Sequence, residues 1–307
     1  MLKNITFRKF GISSLLLLLA FILYNYPEEI NDIKKEENVT SLINIYLIDQ
    51  NDLVSLTKIK SVGESTNDYI KSIVNSLILG NTSEIPDGFS ASIPKGTRLI
   101  NFNLENKLLK LNFSKEFLNV SLENEEKMIE SIVYSLTSLP DIDNIMIFVE
   151  NELLLELPNS HKKLDMYLNK SYGINKVIDI CSIKNTQNVT VYYLSKNENY
   201  YYIPVTYITN DNSNKIEIII NSLKSNKFNN SNLLSHLDYQ VELMNYEEDE
   251  DYFVLNFNNV LLDSVYDGKL KEEIKYAVSY SIIDTFNVEN VVFQVNSQKI
   301  DEFILEK

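Results

Sequence analysis

The chain contains one unit twice, at a spacing of 146 residues, and no other feature restricts its fold as much. Ile43-Asn44-Ile45-Tyr46 corresponds to Val189-Thr190-Val191-Tyr192, and Ile73-Val74-Asn75-Ser76-Leu77 to Ile219-Ile220-Asn221-Ser222-Leu223. Tyr134-Ser135-Leu136 corresponds to Tyr280-Ser281-Ile282, and Asn144-Ile145 and Phe148-Val149 keep the spacing against Asn290-Val291 and Gln294-Val295. Leu111-Asn112-Phe113 meets Leu255-Asn256-Phe257 at 144, as a small loop deletion produces. Whatever the first copy folds into, the second must be able to fold into as well.

Each copy reads as strand, helix, two strands, helix, strand. Leu42 to Ile48 alternates Ile43, Ile45 and Leu47 on one face, the period of a half-covered strand. From Asp68 to Leu79 the apolar residues Ile70, Ile73, Val74, Leu77 and Ile78 share a helical face, with Ser65 or Thr66 as N-cap and Gly80 as the stop. Arg98 to Asn103 and Lys107 to Phe113 form a hairpin across Glu105-Asn106. A second helix over about Leu122 to Ser138 carries Met128, Ile129, Ile132, Val133 and Leu136 before Leu139-Pro140 ends it, and Ile145 to Val149 is the last strand. The second copy places Ile216, Ile219, Ile220 and Leu223 on its first helix, and Leu270, Ile274, Ala277, Val278 and Ile282 on its second. Helices with one apolar stripe need one sheet face to cover. The expected class is α+β: two tandem β-α-β-β-α-β repeats, each an antiparallel or mixed sheet with both helices on one face.

Ahead of the repeats, Lys3, Arg8 and Lys9 precede an apolar run of about 17 residues that begins near Phe10 and fades at Tyr26-Pro27-Glu28-Glu29. Its length is at the lower limit for a helix crossing a bilayer core, with Tyr24 and Tyr26 where interfacial aromatics belong. A cleaved signal peptide is the competing reading, although Leu23-Tyr24-Asn25-Tyr26-Pro27 lacks a small-residue cleavage site. A buried soluble helix is the third. No Cys follows the run, which excludes a lipoprotein anchor. Positive charge before an uncleaved span places the amino terminus in the cytoplasm and the body outside it. The expected organisation is a cytoplasmic stub and signal anchor over 1–26, a charged tether over 27–40, a first domain over 41–157, a connector over 158–187 and a divergent second domain over 188–307. The connector, with Ser171-Tyr172-Gly173-Ile174-Asn175, reads equally as ordered or flexible.

Composition removes several function classes. The 307 residues carry 28 Lys plus Arg against 43 Asp plus Glu, a formal net charge of −15, and the only arginines are Arg8 and Arg98. Removing the three cations of residues 1–26 leaves −18 on the body. Nucleic-acid binding draws its affinity from basic residues, so no nucleic-acid partner is expected. Cys181 is the single cysteine, so an internal disulfide or a Cys-based zinc site is impossible. Its neighbours Val177-Ile178-Asp179-Ile180 suggest a small buried apolar residue.

Candidate chemistry is sparse. The run Glu247-Glu248-Asp249-Glu250-Asp251 lacks the spacing that folds carboxylates around Ca²⁺ and reads as a solvated hairpin turn. His236 beside Asp238 reads as a surface histidine in a polar loop. Val62-Gly63-Glu64 and Pro94-Lys95-Gly96-Thr97 have neither P-loop nor nucleophile-elbow spacing and read as turns. Tyr200, Tyr201, Tyr202 and Tyr207 form the densest aromatic patch, either a stacking surface for glycan or partner, or a strand with a half-buried face. No catalytic, cofactor-binding or metal-ligating residue is assigned, and no cofactor is expected.

Ile93-Pro94-Lys95-Gly96-Thr97-Arg98-Leu99, then Leu111-Asn112-Phe113-Ser114-Lys115-Glu116-Phe117, resemble the GerMN domain of GerM-like sporulation and spore germination proteins. Ile132-Val133-Tyr134-Ser135-Leu136-Thr137-Ser138-Leu139-Pro140 and Ile145 to Val149 look like that domain's carboxy-terminal stretch. The second copy departs from the pattern, with Ser231 to Asp238 where Pro-x-Gly-Thr would stand. The resemblance implies tandem GerMN domains behind a membrane anchor, similar in fold to ring-building motifs. It also implies a non-enzymatic cell-membrane protein with an extracytoplasmic body, which scaffolds or assembles envelope or sporulation-complex proteins. Peptidoglycan or another wall glycan is the alternative partner.

Overall fold

The computed structural model describes residues 40–81, 85–182, 184–196, 200–225 and 232–305. The anchor expected over 1–26 and the tether up to Val39 lie outside them, and no helix of the described residues is long and apolar enough to cross a membrane. Thr40–Lys307 forms one compact unit containing both copies.

The first copy opens on a hairpin of β1 (Thr40–Asp49) and β2 (Val54–Val62), followed by α1 (Thr66–Leu77). Ser65 caps α1 in a reciprocal box with Asp68, and Ile70, Ile73, Val74 and Leu77 are buried. Beyond a short β3 (Phe89–Ser90) come β4 (Leu99–Glu105) and β5 (Leu108–Phe113), joined through Asn106 and Lys107, both with positive φ as a tight two-residue hairpin requires. Helix α2 (Glu125–Leu136) then crosses over so that β6 (Asn144–Val149) lies parallel to β5, and β7 (Glu152–Leu153) turns back on β6.

The second copy repeats this order. After β8 (Val177–Asp179) come the hairpin β9 (Gln187–Lys196) and β10 (Tyr200–Thr209), helix α3 (Lys215–Ser225), and the hairpin β11 (Leu243–Glu248) and β12 (Tyr252–Phe257). A small ribbon, β13 (Val265–Tyr266) with β14 (Lys269–Leu270), precedes α4 (Glu272–Phe286), β15 (Asn290–Val295) and β16 (Gln298–Ile304). Strands β12 and β15 are parallel, as β5 and β6 are. Asn112 and Asn256, nearly fully buried in their Leu-Asn-Phe segments, have the same task in both copies. Each side-chain carbonyl accepts a backbone N–H at 3.0 Å, from Asn151 and Ser297, and so fixes the turns after β6 and β15.

Three expectations require correction. Each copy begins with two strands where one was expected, and β2 and β10 are the additions; β7 and β16 are likewise extra. Leu270 lies in β14, ahead of the helix on which its spacing had placed it. Most consequentially, the sheets are not one per copy. Each copy keeps a four-stranded sheet, β4-β5-β6-β7 or β11-β12-β15-β16, while the opening hairpins join a six-stranded sheet that spans both copies. The join is antiparallel and sets Tyr202 of β10 opposite Leu56 of β2, and these residues are themselves 146 apart. Tyr46 and Tyr192, also 146 apart, touch through their hydroxyls at 2.8 Å. Antiparallel pairing that sets a residue opposite its own equivalent is the arrangement about a twofold axis, so the two copies are arranged at this seam like the halves of an isologous dimer. That arrangement explains why β1 is covered on both faces rather than one, with Tyr46 as buried as Ile45 and Leu47.

The connector between the copies is ordered along most of its length. Leu168 exchanges both backbone hydrogen bonds with Ile145, at 2.8 and 2.9 Å. Asn159 and Ser160 donate to the buried carboxylate of Glu125, with bonds of 2.9 to 3.1 Å. Burial alone would raise the Glu125 pKa, but these hydrogen bonds from Ser160 and Asn159 outweigh it and hold the carboxyl below the usual range. A depressed folded-state value contributes stability above the unfolded glutamate pKa of about 4.3, lost as pH falls through the lower folded value. Glu125→Gln is therefore expected to cost more at pH 7 than at about pH 3, as compared by urea unfolding. An equal cost at both pH values would show that the charge is not what these N–H groups recognise.

Candidate functional site at the seam between the copies

The polar groups that hold the copies together converge on the twofold seam. The Tyr192 hydroxyl donates to the Asp284 carboxylate, which Lys170 of the connector also contacts. Since Tyr192 has one proton and Asp284 takes it, the Tyr46 hydroxyl must be the donor in the tyrosine pair. Burial, reinforced by the negative Asp284, raises both phenol pKa values well above normal, so both keep their protons. The Tyr46 and Tyr192 backbone N–H groups donate to Ser135 of α2 and Ser281 of α4, each at 2.8 Å. A serine on each helix thereby satisfies one N–H of the strand beside it.

Farther along the seam, the Tyr201 hydroxyl donates to Asp49 at 2.9 Å, and its ring packs edge-on to Phe89 at 5.1 Å. Tyr202 lies 5.6 Å from the ring of Tyr280 and 6.0 Å from that of Tyr276. Of the two readings of the tyrosine patch, the structure shows the strand with a half-buried face. Tyr201 and Tyr207 are buried, Tyr202 is partly buried between the copies, and only Tyr200 is exposed, its ring edge-on to His236. Hairpin pairing of β10 determines which of these rings face the other copy.

Two of the concavities among the described residues lie beside these elements. One, of about 490 Å³, lies on the seam with Asn44, Lys58 and Tyr69 on the first copy's side and Tyr276, Tyr280 and Glu302 on the second's. The other, of about 900 Å³, runs between α1 and β4, lined by Lys71, Val74, Arg98 and Phe102 among others. Of the seam residues, Tyr201 and Tyr202 stood out in the sequence as part of the aromatic patch, whereas Asp49, Lys170 and Asp284 did not. The 146-residue spacing made Tyr134 and Tyr280 equivalents, but periodicity carries no information about which equivalents end up facing across an axis.

The remaining candidates are scattered. Residues Asp249 to Asp251 form the turn between β11 and β12, with the Asp249 N–H bonded to the Tyr252 carbonyl at 3.0 Å. His236 and Asp238 are exposed, and Asp238 accepts from the Gln240 N–H at 2.7 Å, as in a local Asx turn. Gly63 and Gly96 occupy turns with φ of +93° and +86°, where a side chain would be strained. Cys181 corrects its expectation: the thiol is exposed because β8 ends at Asp179, and the chain there is held by Asn210, which accepts the Cys181 and Ser182 N–H groups. Among the described residues no group of three His, Cys, Asp or Glu is placed to hold a metal ion.

Known proteins agree with this geometry. A family model described as sporulation and spore germination matches residues 44–155. The spore germination protein GerM of Bacillus subtilis (strain 168) is 30% identical over 295 residues, an alignment covering 91% of this chain and 78% of that protein. The solved tandem GerMN domains of the sporulation protein GerM from Bacillus subtilis superpose with a TM-score of 0.76 at 25% identity, over 84% of this chain and 92% of theirs. The match spans both copies, so it covers the pairing between them as well as the unit fold. The chain belongs to the GerM family of spore germination proteins, and Thr40 to Lys307 is its tandem GerMN body.

Proposed function

We infer that the protein is a non-enzymatic scaffold, anchored in the cell membrane by residues 10–26, whose extracytoplasmic tandem GerMN body assembles or positions other envelope proteins during sporulation. The observation that carries this reading is the fused pair of copies. Because the seam consumes the opening hairpins, the block presents the two corresponding strands β4 and β11 at the outer limits of their four-stranded sheets. Sheet edges of this kind are natural sites for pairing with another chain. Exposed Asn103 on β4 and Met244 on β11 lie at these edges.

Photocrosslinkers placed at Asn103 and Met244 of the full chain test the reading in sporulating cells. Capture of secretion-complex or engulfment proteins is the expected result, and the productive position identifies the copy that carries the contact. Capture of wall-synthesis enzymes alone, or of nothing at either edge, would overturn the assembly role.

A further inference from the structure

The seam cleft is lined by residues of both copies. Its floor is aromatic: Tyr69 comes from the first copy, and Tyr276 and Tyr280, whose ring centroids are 5.8 Å apart, come from the second. All three tyrosines are partly exposed, so each presents aromatic surface beside a polar wall. The charged residues of the lining balance in number, Lys58 and Lys275 against Asp141 and Glu302. Lys275 pairs with Asp301 at 3.3 Å, Glu302 with Lys299 at 2.7 Å, and Asp141 accepts from the Thr66 hydroxyl at 2.5 Å. Asn44 and Lys58 add further hydrogen-bonding groups to the first copy's wall.

This combination selects a chemistry. A lining with two lysines and two carboxylates has no net charge to offer an anion or a cation, so a charged ligand would lose its hydration for little return. Partly exposed tyrosine rings beside amide, hydroxyl and carboxylate groups suit a ligand with an apolar C–H face and a rim of hydroxyls. The volume of about 490 Å³ lies within the range of small-ligand sites and accommodates a short oligosaccharide. The Tyr46–Tyr192 and Asn175 bonds fix the two walls relative to each other, so little ordering is needed on binding. We propose that the cleft between the two copies binds a neutral glycan strand, stacked on Tyr69, Tyr276 and Tyr280 and hydrogen-bonded by Asn44 and Lys58. This does not depend on the scaffold reading, whose test uses the β4 and β11 edges.

Residues 40–307, which form one compact unit, can be titrated with chitotetraose and with cellotetraose while amide NMR shifts are followed. Saturable shifts confined to the cleft are expected. Tyr69→Ala should weaken binding about fivefold to tenfold, and the rim substitution Lys58→Ala about twofold to fivefold. Preference for chitotetraose would assign the site to N-acetylated amino-sugar chains, and equal binding to recognition of the shared hydroxyl pattern. Lys58 is exposed, so Lys58→Ala decides the matter even if Tyr69→Ala fails to fold. Absence of saturable shifts at millimolar sugar, or shifts that neither variant weakens, would overturn the proposal. Crosslinking from position 69 in cells that yields a protein adduct and no glycan would overturn it too, in favour of a peptide site.

Discussion

Asn175→Ala is expected to destabilise the Thr40–Lys307 unit by about 3 kcal/mol, with the transition midpoint in urea falling accordingly. Asn175 belongs to neither copy's repeated core, yet its side chain bonds both. Its carbonyl accepts the Val54 N–H at 3.0 Å, and its amide donates to the carbonyls of Val54 at 2.7 Å and Pro204 at 2.8 Å. Val54 is on β2 and Pro204 on β10, so one asparagine completes the backbone bonding of two strands where their copies meet. Alanine leaves these backbone groups without their partner, and each group buried in this way costs about 1 kcal/mol or more. It must also adopt φ = +44°, where asparagine is tolerated and alanine strained by about 1 kcal/mol. Asn175→Gly separates the two effects, since it relieves the strain and restores none of the bonds. Glycine should recover about 1 kcal/mol of the loss. A cost below about 1 kcal/mol for alanine would show that water replaces the asparagine amide and that the seam does not depend on it.

The second large effect is expected at the tyrosine pair. Tyr192→Phe removes the donor to Asp284 and the acceptor for Tyr46 in one step, leaving a carboxylate with Lys170 and a buried hydroxyl with nothing in its place. The expected cost is about 2 to 3 kcal/mol, because one of the lost bonds is to a charged group. Tyr46→Phe removes only the outer donor of the chain and should cost about 1 kcal/mol. The double substitution should cost less than the sum, by about 1 kcal/mol, because the Tyr46 hydroxyl has no acceptor once that of Tyr192 is gone. Costs that add to within about 0.3 kcal/mol would mean the two hydroxyls are not coupled.

The contrast between these residues and the repeat shows what is local in this chain. The capped helix α1, the hairpin turn read at Glu105-Asn106 and found one residue later at Asn106 and Lys107, the acidic turn read over Glu247 to Asp251 and found at Asp249 to Asp251, and the Leu-Asn-Phe strands follow from spacing, capping and turn chemistry within a few residues. They were legible in the sequence, as was the existence of two equivalent units. Strand β2 was missed because Thr57, Lys58 and Lys60 interrupt its apolar residues, although Val54, Leu56 and Ile59 are buried. What makes β2 a strand is its pairing with β1 along its whole length and with β10 at Leu56, neither of which is written in its own composition.

The seam was illegible for the same reason. Tyr46 and Tyr192 could be recognised as equivalents, but being equivalent does not imply being in contact. Contact arises here because a twofold axis passes between the copies, and the position of an axis is a property of the folded pair. The unit, its two copies, their α+β class and the family follow from residue order alone. That the copies share a sheet, that the tyrosines of β10 join them and that a cleft lies between them emerge only on folding. Secondary structure follows from interactions a few residues apart, whereas a seam between copies 146 residues apart is selected by the complementarity of surfaces that exist only after both have folded.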